Sequence, residues 1–513
     1  MPKPNFLGTN TNKGLTAMLL LLVAGSVFSY ALYGPYYSPD TVNYFDFSRS
    51  LFEENIWASI YSPVYPLLLH CLTLLPFPSL FHAAHLLILV QYGLGVYFLY
   101  QWVKIISTHY QFNRNRQASF LLLLLIVSHS WWSFRIVTWA HADAMFYCLL
   151  VVWGYFMSRY FLQESLKHLL ILSFLSAAMI WVKLNALSLI PFYALLIILD
   201  KEWKKWLFPL CLTAASYLGY RYLFQYSLLN NISTDSDTSS TMFSLESLEI
   251  MTNNLAEFFK TSLGFLLSDV VTAFIPHTFA ILGGISLLLG LLFIVFREIK
   301  KGFSLSSLFL LFSVLYLLCQ LSFQQMAGFE EINYRTLFPY LLAGSWYVMI
   351  RIFRLGKTSS ITVLLLAFLI SSHTLAGHLH LWQRQEVNSL FEAERLAGSA
   401  LIQKAQFLHQ GTSKHTSFVS DRPTQLALLL NNPFVVHYDP EFDFIHGKRR
   451  PISEQQRQKN SVALMKKLLK GEAVAVIFGE DESLVHFAQE NGVLVFKYAE
   501  GTLLLQPRAP VLH

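Results

Sequence analysis

The chain has 513 residues, 54% of them hydrophobic and only 13% charged, with a mean hydropathy of +0.45; this excludes an ordinary soluble enzyme and a disordered chain. The formal net charge of +6 is mild and its bases are spread along the chain, so nothing points to nucleic acid.

Apolar runs of about 17 to 25 residues, each long enough to cross a hydrocarbon core of about 30 Å, recur from residue 15 to about 375. Spanning strands would alternate apolar and polar residues, whereas 121–127 and 361–370 are apolar on every face, so the spans are helices. Hydropathy predicts eleven of them, at 15–34, 82–103, 118–137, 143–162, 168–182, 185–199, 207–224, 270–296, 303–323, 336–350 and 360–378. The first follows Lys3 and Lys13 and reads as an uncleaved span, being long and lacking a small-residue cleavage pattern. Placing the N-terminus in the cytoplasm puts sixteen basic residues, Lys104, Lys205 and Lys301 among them, in cytoplasmic segments. Six fall opposite: Arg49, Arg135, Lys183, Arg221, Lys260 and Arg335. Basic residues resist translocation, which sets this orientation.

The segment 63–78 is apolar but short and interrupted by Pro66 and Pro76, and reads as a helix on or dipping into the outer leaflet. Two outer loops are long, about 35–81 and about 225–269. The second contains the polar run 230–241, with a formal sequon at Asn231-Ile232-Ser233. The four cysteines, Cys71, Cys148, Cys211 and Cys319, lie in apolar stretches without CxxC spacing, which argues against a disulfide framework or a thiolate metal site.

From about His380 the composition turns soluble, with β-rich runs at 417–420, 434–438, 473–478 and 493–498 and helical patterns at 386–409, 454–470 and 482–490. The expected organisation is a transmembrane domain over 1–378 and a small extracytoplasmic α/β domain over 379–513. The latter shows no nucleotide-binding glycine fingerprint.

Candidate chemistry gathers in the outer segments. Ser38 suits an N-cap, Pro39 the first helical position, and Asp40 the first turn, where the helix dipole favours a carboxylate. Tyr44, Phe47 and Leu51 then share one face, which predicts an amphipathic helix on the membrane. Asp143, in Trp139-Ala140-His141-Ala142-Asp143, falls on the same side, where a charge at the hydrocarbon edge needs a partner, a cavity or a function. Lys183 and Arg335 lie at outer ends of spans, on the side that disfavours cations. A phosphate at that depth would explain them, as would snorkelling or pairing with Glu330 or Glu331. The histidines at 373, 378 and 380 lack metal-ligand spacing and are expected to be interfacial.

Four motifs together resemble the GT-C glycosyltransferases, particularly the branch of protein O-mannosyltransferases and the aminoarabinose transferase acting on lipid A. They are Ser38-Pro39-Asp40-Thr41-Val42-Asn43-Tyr44, Tyr61-Ser62-Pro63-Val64-Tyr65-Pro66-Leu67-Leu68-Leu69, His141-Ala142-Asp143-Ala144-Met145-Phe146 and Tyr334-Arg335-Thr336-Leu337-Phe338-Pro339. The sequence departs from that pattern in having Thr41 where a second acid is common and Lys183 where Arg is usual.

The resemblance implies transfer of a sugar from a polyprenyl-phosphate donor to a hydroxyl of a protein, lipid or glycan on the extracytoplasmic face of a bacterial inner membrane, with inversion. It implies Asp40 as general base, Asp143 orienting the acceptor or a cation, and Lys183 and Arg335 stabilising the departing phosphate. Tyr44, His141 and Tyr334 would be further substrate contacts. Some members use a divalent metal, which this sequence does not establish. The rival readings are a lipid-linked glycan transporter or flippase and a non-catalytic envelope protein.

Overall fold

The structure is a computed structural model. It describes residues 9–50, 62–75, 79–200, 202–224, 245–267, 269–327, 333–355, 360–383, 389–411, 416–430, 435–438, 442–445, 448–451, 454–478 and 482–506. Helix α1 (Thr9–Tyr33) is followed by α2 (Pro39–Ser50), α3 (Val64–Thr73), α4 (Leu80–His109), α5 (Arg114–Ser128), α6 (Trp131–Val137), α7 (Ala142–Gln163) and α8 (Leu166–Val182). A 3-10 turn (Leu184–Ser188) leads into α9 (Leu189–Leu199) and α10 (Lys204–Phe224). Then come α11 (Leu245–Leu267), α12 (Asp269–Ala273), α13 (His277–Lys300), α14 (Leu305–Ala327), α15 (Tyr334–Leu355) and α16 (Ser360–Gln383).

Among the described residues, seven helices are long and apolar enough to cross a membrane: α1, α4, α7, α13, α14, α15 and α16. The number rises to eight if α5 and α6, bent by 62°, are one span. This is an integral membrane protein built as a helical bundle, but eleven long spans are not seen among the described residues. The expected span 168–182 is α8, whose 17 residues reach only about 25 Å at 1.5 Å per residue. The next, 185–199, is divided between the 3-10 turn and α9. Helix α10 carries Lys204, Lys205 and Arg221, with Pro209 inside it, and is not among the seven. The 10-residue α3 spans about 15 Å, too short to cross. It buries Tyr65 and Leu69 while exposing Leu67.

A second correction concerns the loop expected over 225–269, of which the sequon and polar run lie outside the described residues. Its latter part is α11, a 23-residue amphipathic helix that buries Leu255, Ala256, Phe258 and Phe265. It packs against α13 so closely that a Cβ on Gly284 would stand 2.2 Å from the Leu255 carbonyl oxygen. The bundle core is aromatic. Trp102 of α4 lies 5.2 Å from Trp346 of α15 and 5.6 Å from Phe309 of α14, ring centre to ring centre, and its indole N–H donates to Ser158 of α7 at 2.7 Å. The buried polar edge of the Trp102 indole is thus satisfied.

By contacts the chain divides into two units: one of residues 1–32, 51–78 and 82–385, the other of 33–50, 79–81 and 386–513. The second contains, after α2, helices α17 (Leu390–Ala397) and α18 (Ala400–Gly411), strand β1 (Ser417–Ser420), α19 (Pro423–Leu430), β2 (Val436–His437), β3 (Phe442–Ile445), β4 (Lys448–Pro451), α20 (Glu454–Lys470), β5 (Ala473–Ile477), α21 (Glu482–Glu490), β6 (Leu494–Tyr498) and β7 (Gly501–Leu505). The main sheet has the order β2-β1-β5-β7-β6, parallel from β2 to β5 and antiparallel beyond. Central β5 is buried along its whole length, as a strand covered on both faces must be. Its core joins Val419, Leu464, Leu468, Ile477, Leu484 and Leu504. The expected α/β character holds, while β7, the β3–β4 hairpin and α19 are additional.

Candidate functional site

The site grows from four helix ends. Helix α6 finishes at Val137, and α7 begins after His141, whose extended backbone (φ −153°, ψ 154°) makes it the N-cap. Asp143 therefore sits in the first turn of α7, where the N-terminal dipole favours a negative charge. The cap itself is His141, not the acid. Helix α8 ends at Lys183, again extended (φ −157°, ψ 127°), before the 3-10 turn. Asn185 in that turn donates from Nδ2 to Tyr316 Oη at 3.3 Å and Gln320 Oε1 at 3.1 Å, tying the Lys183 segment to α14. Helix α15 starts after Asn333, whose Oδ1 accepts from the Arg335 and Thr336 backbone N–H groups at 2.9 and 3.2 Å. Arg335 thus lies in a first helical turn, where the dipole disfavours a cation, and an anion nearby is needed to hold it.

Asp143 is that anion. Its Oδ1 contacts the Lys183 ammonium, while Oδ2 is 3.3 Å from Arg335 Nε and 2.9 Å from His141 Nδ1. The carboxylate is 5% exposed, Lys183 16% and Arg335 11%. One buried carboxylate therefore fixes two cations drawn from helices far apart in sequence, and the cluster carries a net positive charge. An aromatic wall flanks it. The Arg335 guanidinium lies 5.5 Å from the Trp139 ring centre, Trp139 lies 6.4 Å from Tyr334, and Trp132 lies 5.8 Å from Tyr334. Tyr334 and His141 are thus beside the cluster. The alternative partners Glu330 and Glu331 lie outside the described residues.

Sequence reasoning passed over Arg135. Its guanidinium stands 4.5 Å from the Tyr334 ring and 6.0 Å from Trp139. The available signal was its expected position on the side that disfavours cations. Asn185 was missed altogether.

Asp40 and Tyr44 belong to the other unit. Pro39 opens α2 with Asp40 in its first turn, as expected. Ser38 precedes the helix in the N-cap position; its backbone N–H donates to Thr41 Oγ1 at 3.0 Å, and its carbonyl accepts from the Thr41 N–H at 3.0 Å. Asp40 is half-buried, whereas Thr41, Tyr44, Phe45, Phe47 and Ser48 are buried. Of the face expected to lie on lipid, Tyr44 and Phe47 are covered by protein, α19 contributing to the cover, while Leu51 lies outside the described residues. The segment leading into α2 is fastened to the start of α17. Tyr36 bridges Ser389, the Leu390 N–H donates to the Pro35 carbonyl at 2.8 Å, and Ser389 Oγ donates to the Tyr33 carbonyl. Burial and nearby Glu392 push the Tyr37 phenol up, with Arg422 opposing.

Among the described residues no group of three or more His, Cys, Asp or Glu side chains could hold a metal. The Asp143 oxygens face Lys183, His141 and Arg335, a donor set that does not fit a divalent cation, and no step is drawn through one. Of the three histidines of α16 expected at an interface, His380 is exposed while His373 and His378 are buried. His378 is buried, its ring nitrogens 2.8 Å from Ser29 Oγ and 3.3 Å from Ser26 Oγ, which satisfies an otherwise costly polar group. A cavity of about 320 Å³ lies between α1, α4, α5 and α6, lined by Val23, Ile88, His129, Phe134, Val137 and Thr138 among others.

No protein-family model matches the chain, and no curated protein matches it. Among solved structures it is similar to the archaeal oligosaccharyltransferase AglB of Archaeoglobus fulgidus in complex with an inhibitory peptide and a dolichol-phosphate. The identity is 10%, the likeness covers 96% of this chain and 75% of that one, and the TM-score is 0.45.

Proposed function

We propose that the chain is a GT-C-type membrane glycosyltransferase that moves a sugar from a polyprenyl-phosphate donor to a protein, lipid or glycan hydroxyl on the extracytoplasmic face, inverting the anomeric carbon. The observation that carries the reading is the buried Asp143–Lys183–Arg335 cluster with its aromatic wall at the ends of α6, α7, α8 and α15. Ionisable groups at the end of a membrane bundle are costly, pair with one another and commonly mark a substrate site. A net positive site suits a departing phosphate, which leaves as a stable anion and needs no general acid. Asp40 takes the acceptor proton as the acceptor oxygen bonds to the anomeric carbon and the bond from that carbon to the phosphate oxygen breaks. Asp143 is not the base in this scheme, because its oxygens are engaged by Lys183, His141 and Arg335; it holds the cations in place.

The 62° break between α5 and α6 favours a second reading, a transporter or flippase, since transporters place substrates at discontinuous helices. One assay separates the two. Purified protein in lipid bilayers is given a hydroxyl acceptor and a panel of lipid-phosphate sugars or soluble nucleotide sugars. Transfer from a lipid-phosphate sugar is expected, falling by about two to four orders of magnitude in Asp40→Asn, the range for a lost general base. Lipid movement without transfer would favour the transporter. Turnover with nucleotide sugars alone, or undiminished transfer in Asp40→Asn, would overturn the donor or the base, respectively.

A further inference from the structure

We propose that Arg135 is the phosphate-gripping residue of this site and that Lys183 and Arg335 set the field around it. The inference rests on the polyprenyl-phosphate reading for the identity of its ligand, a prenyl phosphate, but draws on separate observations. Lys183 and Arg335 both share the Asp143 carboxylate, so a phosphate binding to either competes with an existing ion pair. Arg135 has no such competitor. Among the described residues it forms no ion pair, and its neighbours are the ring faces of Tyr334 at 4.5 Å and Trp139 at 6.0 Å. Ring faces attract a guanidinium but do not satisfy its five N–H donors, whose fork matches phosphate oxygens.

Arg135 and Arg335 also both lie within 6.0 Å of the Trp139 ring centre, so a group bound by one enters the field of the other. Helix α6 is suited to an amphiphile as well as to an anion. Phe134, Val137 and Thr138, on one of its faces, line the apolar cavity, while Arg135 projects from another position on the same turn. A ligand with an apolar chain and a phosphoryl head meets both.

The test uses the full chain in lipid nanodiscs and three probes: farnesyl phosphate, farnesol and inorganic phosphate. Wild type should bind farnesyl phosphate about 10- to 100-fold more tightly than farnesol, the range for a charge-assisted bond to phosphate. Arg135→Gln should lose most of that preference while binding farnesol unchanged, and Arg135→Lys should keep part of it, having the charge without the fork. Farnesol binding and the melting temperature report whether each variant is folded. If Arg135→Gln keeps the full preference, Arg135 only snorkels or complements the end of α6, and the inference falls. It also falls if wild type shows no preference, or if inorganic phosphate displaces farnesyl phosphate completely at equal concentration, which would make the site one for free phosphate. An Arg135-dependent preference without sugar transfer would overturn the glycosyltransferase reading alone. Transfer with an unchanged donor KM in Arg135→Gln would overturn this inference alone.

Discussion

Replacing Asp143 with Asn keeps the shape of the side chain and removes its charge. In the wild type that carboxylate, 5% exposed, faces Lys183 and Arg335, which are 16% and 11% exposed. At an effective dielectric constant near ~20, the 3.3 Å approach of Arg335 has a gross attraction of about 5 kcal/mol. Desolvation of the ions offsets much of it. The variant keeps the desolvation of two cations, loses the charge that compensates them, and leaves like charges facing one another. Breaking a buried pair in this way costs about 3–5 kcal/mol, and the residual exposure of both cations places the loss near 3 kcal/mol. The assay is thermal unfolding in nanodiscs of wild type, Asp143→Asn, Lys183→Met and the double variant, in which a drop of roughly 3 °C is expected for Asp143→Asn. The double variant should lie about 1 kcal/mol or more above the sum of the single losses, because removing one cation relieves the other. An unchanged melting temperature in Asp143→Asn, or strictly additive losses, would refute the view that this carboxylate neutralises the pair.

Two further predictions test the bundle. Gly284→Ala places a methyl group where the Leu255 carbonyl oxygen lies 2.2 Å from the ideal Cβ. It should cost about 1–3 kcal/mol as overpacking. Gly290→Ala on the same helix, with nothing within 4 Å, should be neutral or slightly stabilising in the same melting experiment; equal effects would mean that α11 does not pack as described. At Asp200, between α9 and α10, burial raises the pKa, but the Trp206 indole N–H at 2.8 Å, the Glu202 backbone N–H at 3.0 Å and the Lys205 ammonium at 3.3 Å hold it below the ordinary value. Its stabilisation is therefore complete above the unfolded pKa of about 3.9 and is lost as the pH falls through the lower folded value. The difference in melting temperature between wild type and Asp200→Asn should be full at pH 6 and shrink below about pH 4, and a difference independent of pH would contradict it.

The sequence by itself determined that this is a helical membrane protein with a soluble α/β tail, because burial in lipid and burial in a sheet impose different periods that survive without any contact. The tail helices at 454–470 and 482–490 and the strand at 417–420 were legible for that reason. The helix start at Pro39-Asp40 was legible too, since caps and dipoles act within one turn. The lengths of the helices were not. Hydropathy records how apolar a segment is, and it does not show that α8 stops at 17 residues or that the run 185–199 is divided between a 3-10 turn and the 11-residue α9. Nor could the pattern reveal that α11 is a packed helix, because its polar face breaks the apolar run while its buried face needs α13 to exist.

Tertiary structure alone decided the partners of the charges. Along the chain, Lys183 and Arg335 read as cations whose partner is a phosphate, the interface or Glu330 and Glu331, but they share Asp143, from which they are separated by 40 and 192 positions, and that pairing leaves Arg135 to offer its donors. The Asp40 segment likewise reads as part of the first membrane loop, yet residues 33–50 group with the C-terminal unit through bonds such as Ser389 to Tyr33, 356 positions apart. The physical reason is the same in each case: a propensity or a cap is satisfied by near neighbours and is written locally, whereas a charge or a backbone edge is satisfied by whichever element the fold brings beside it.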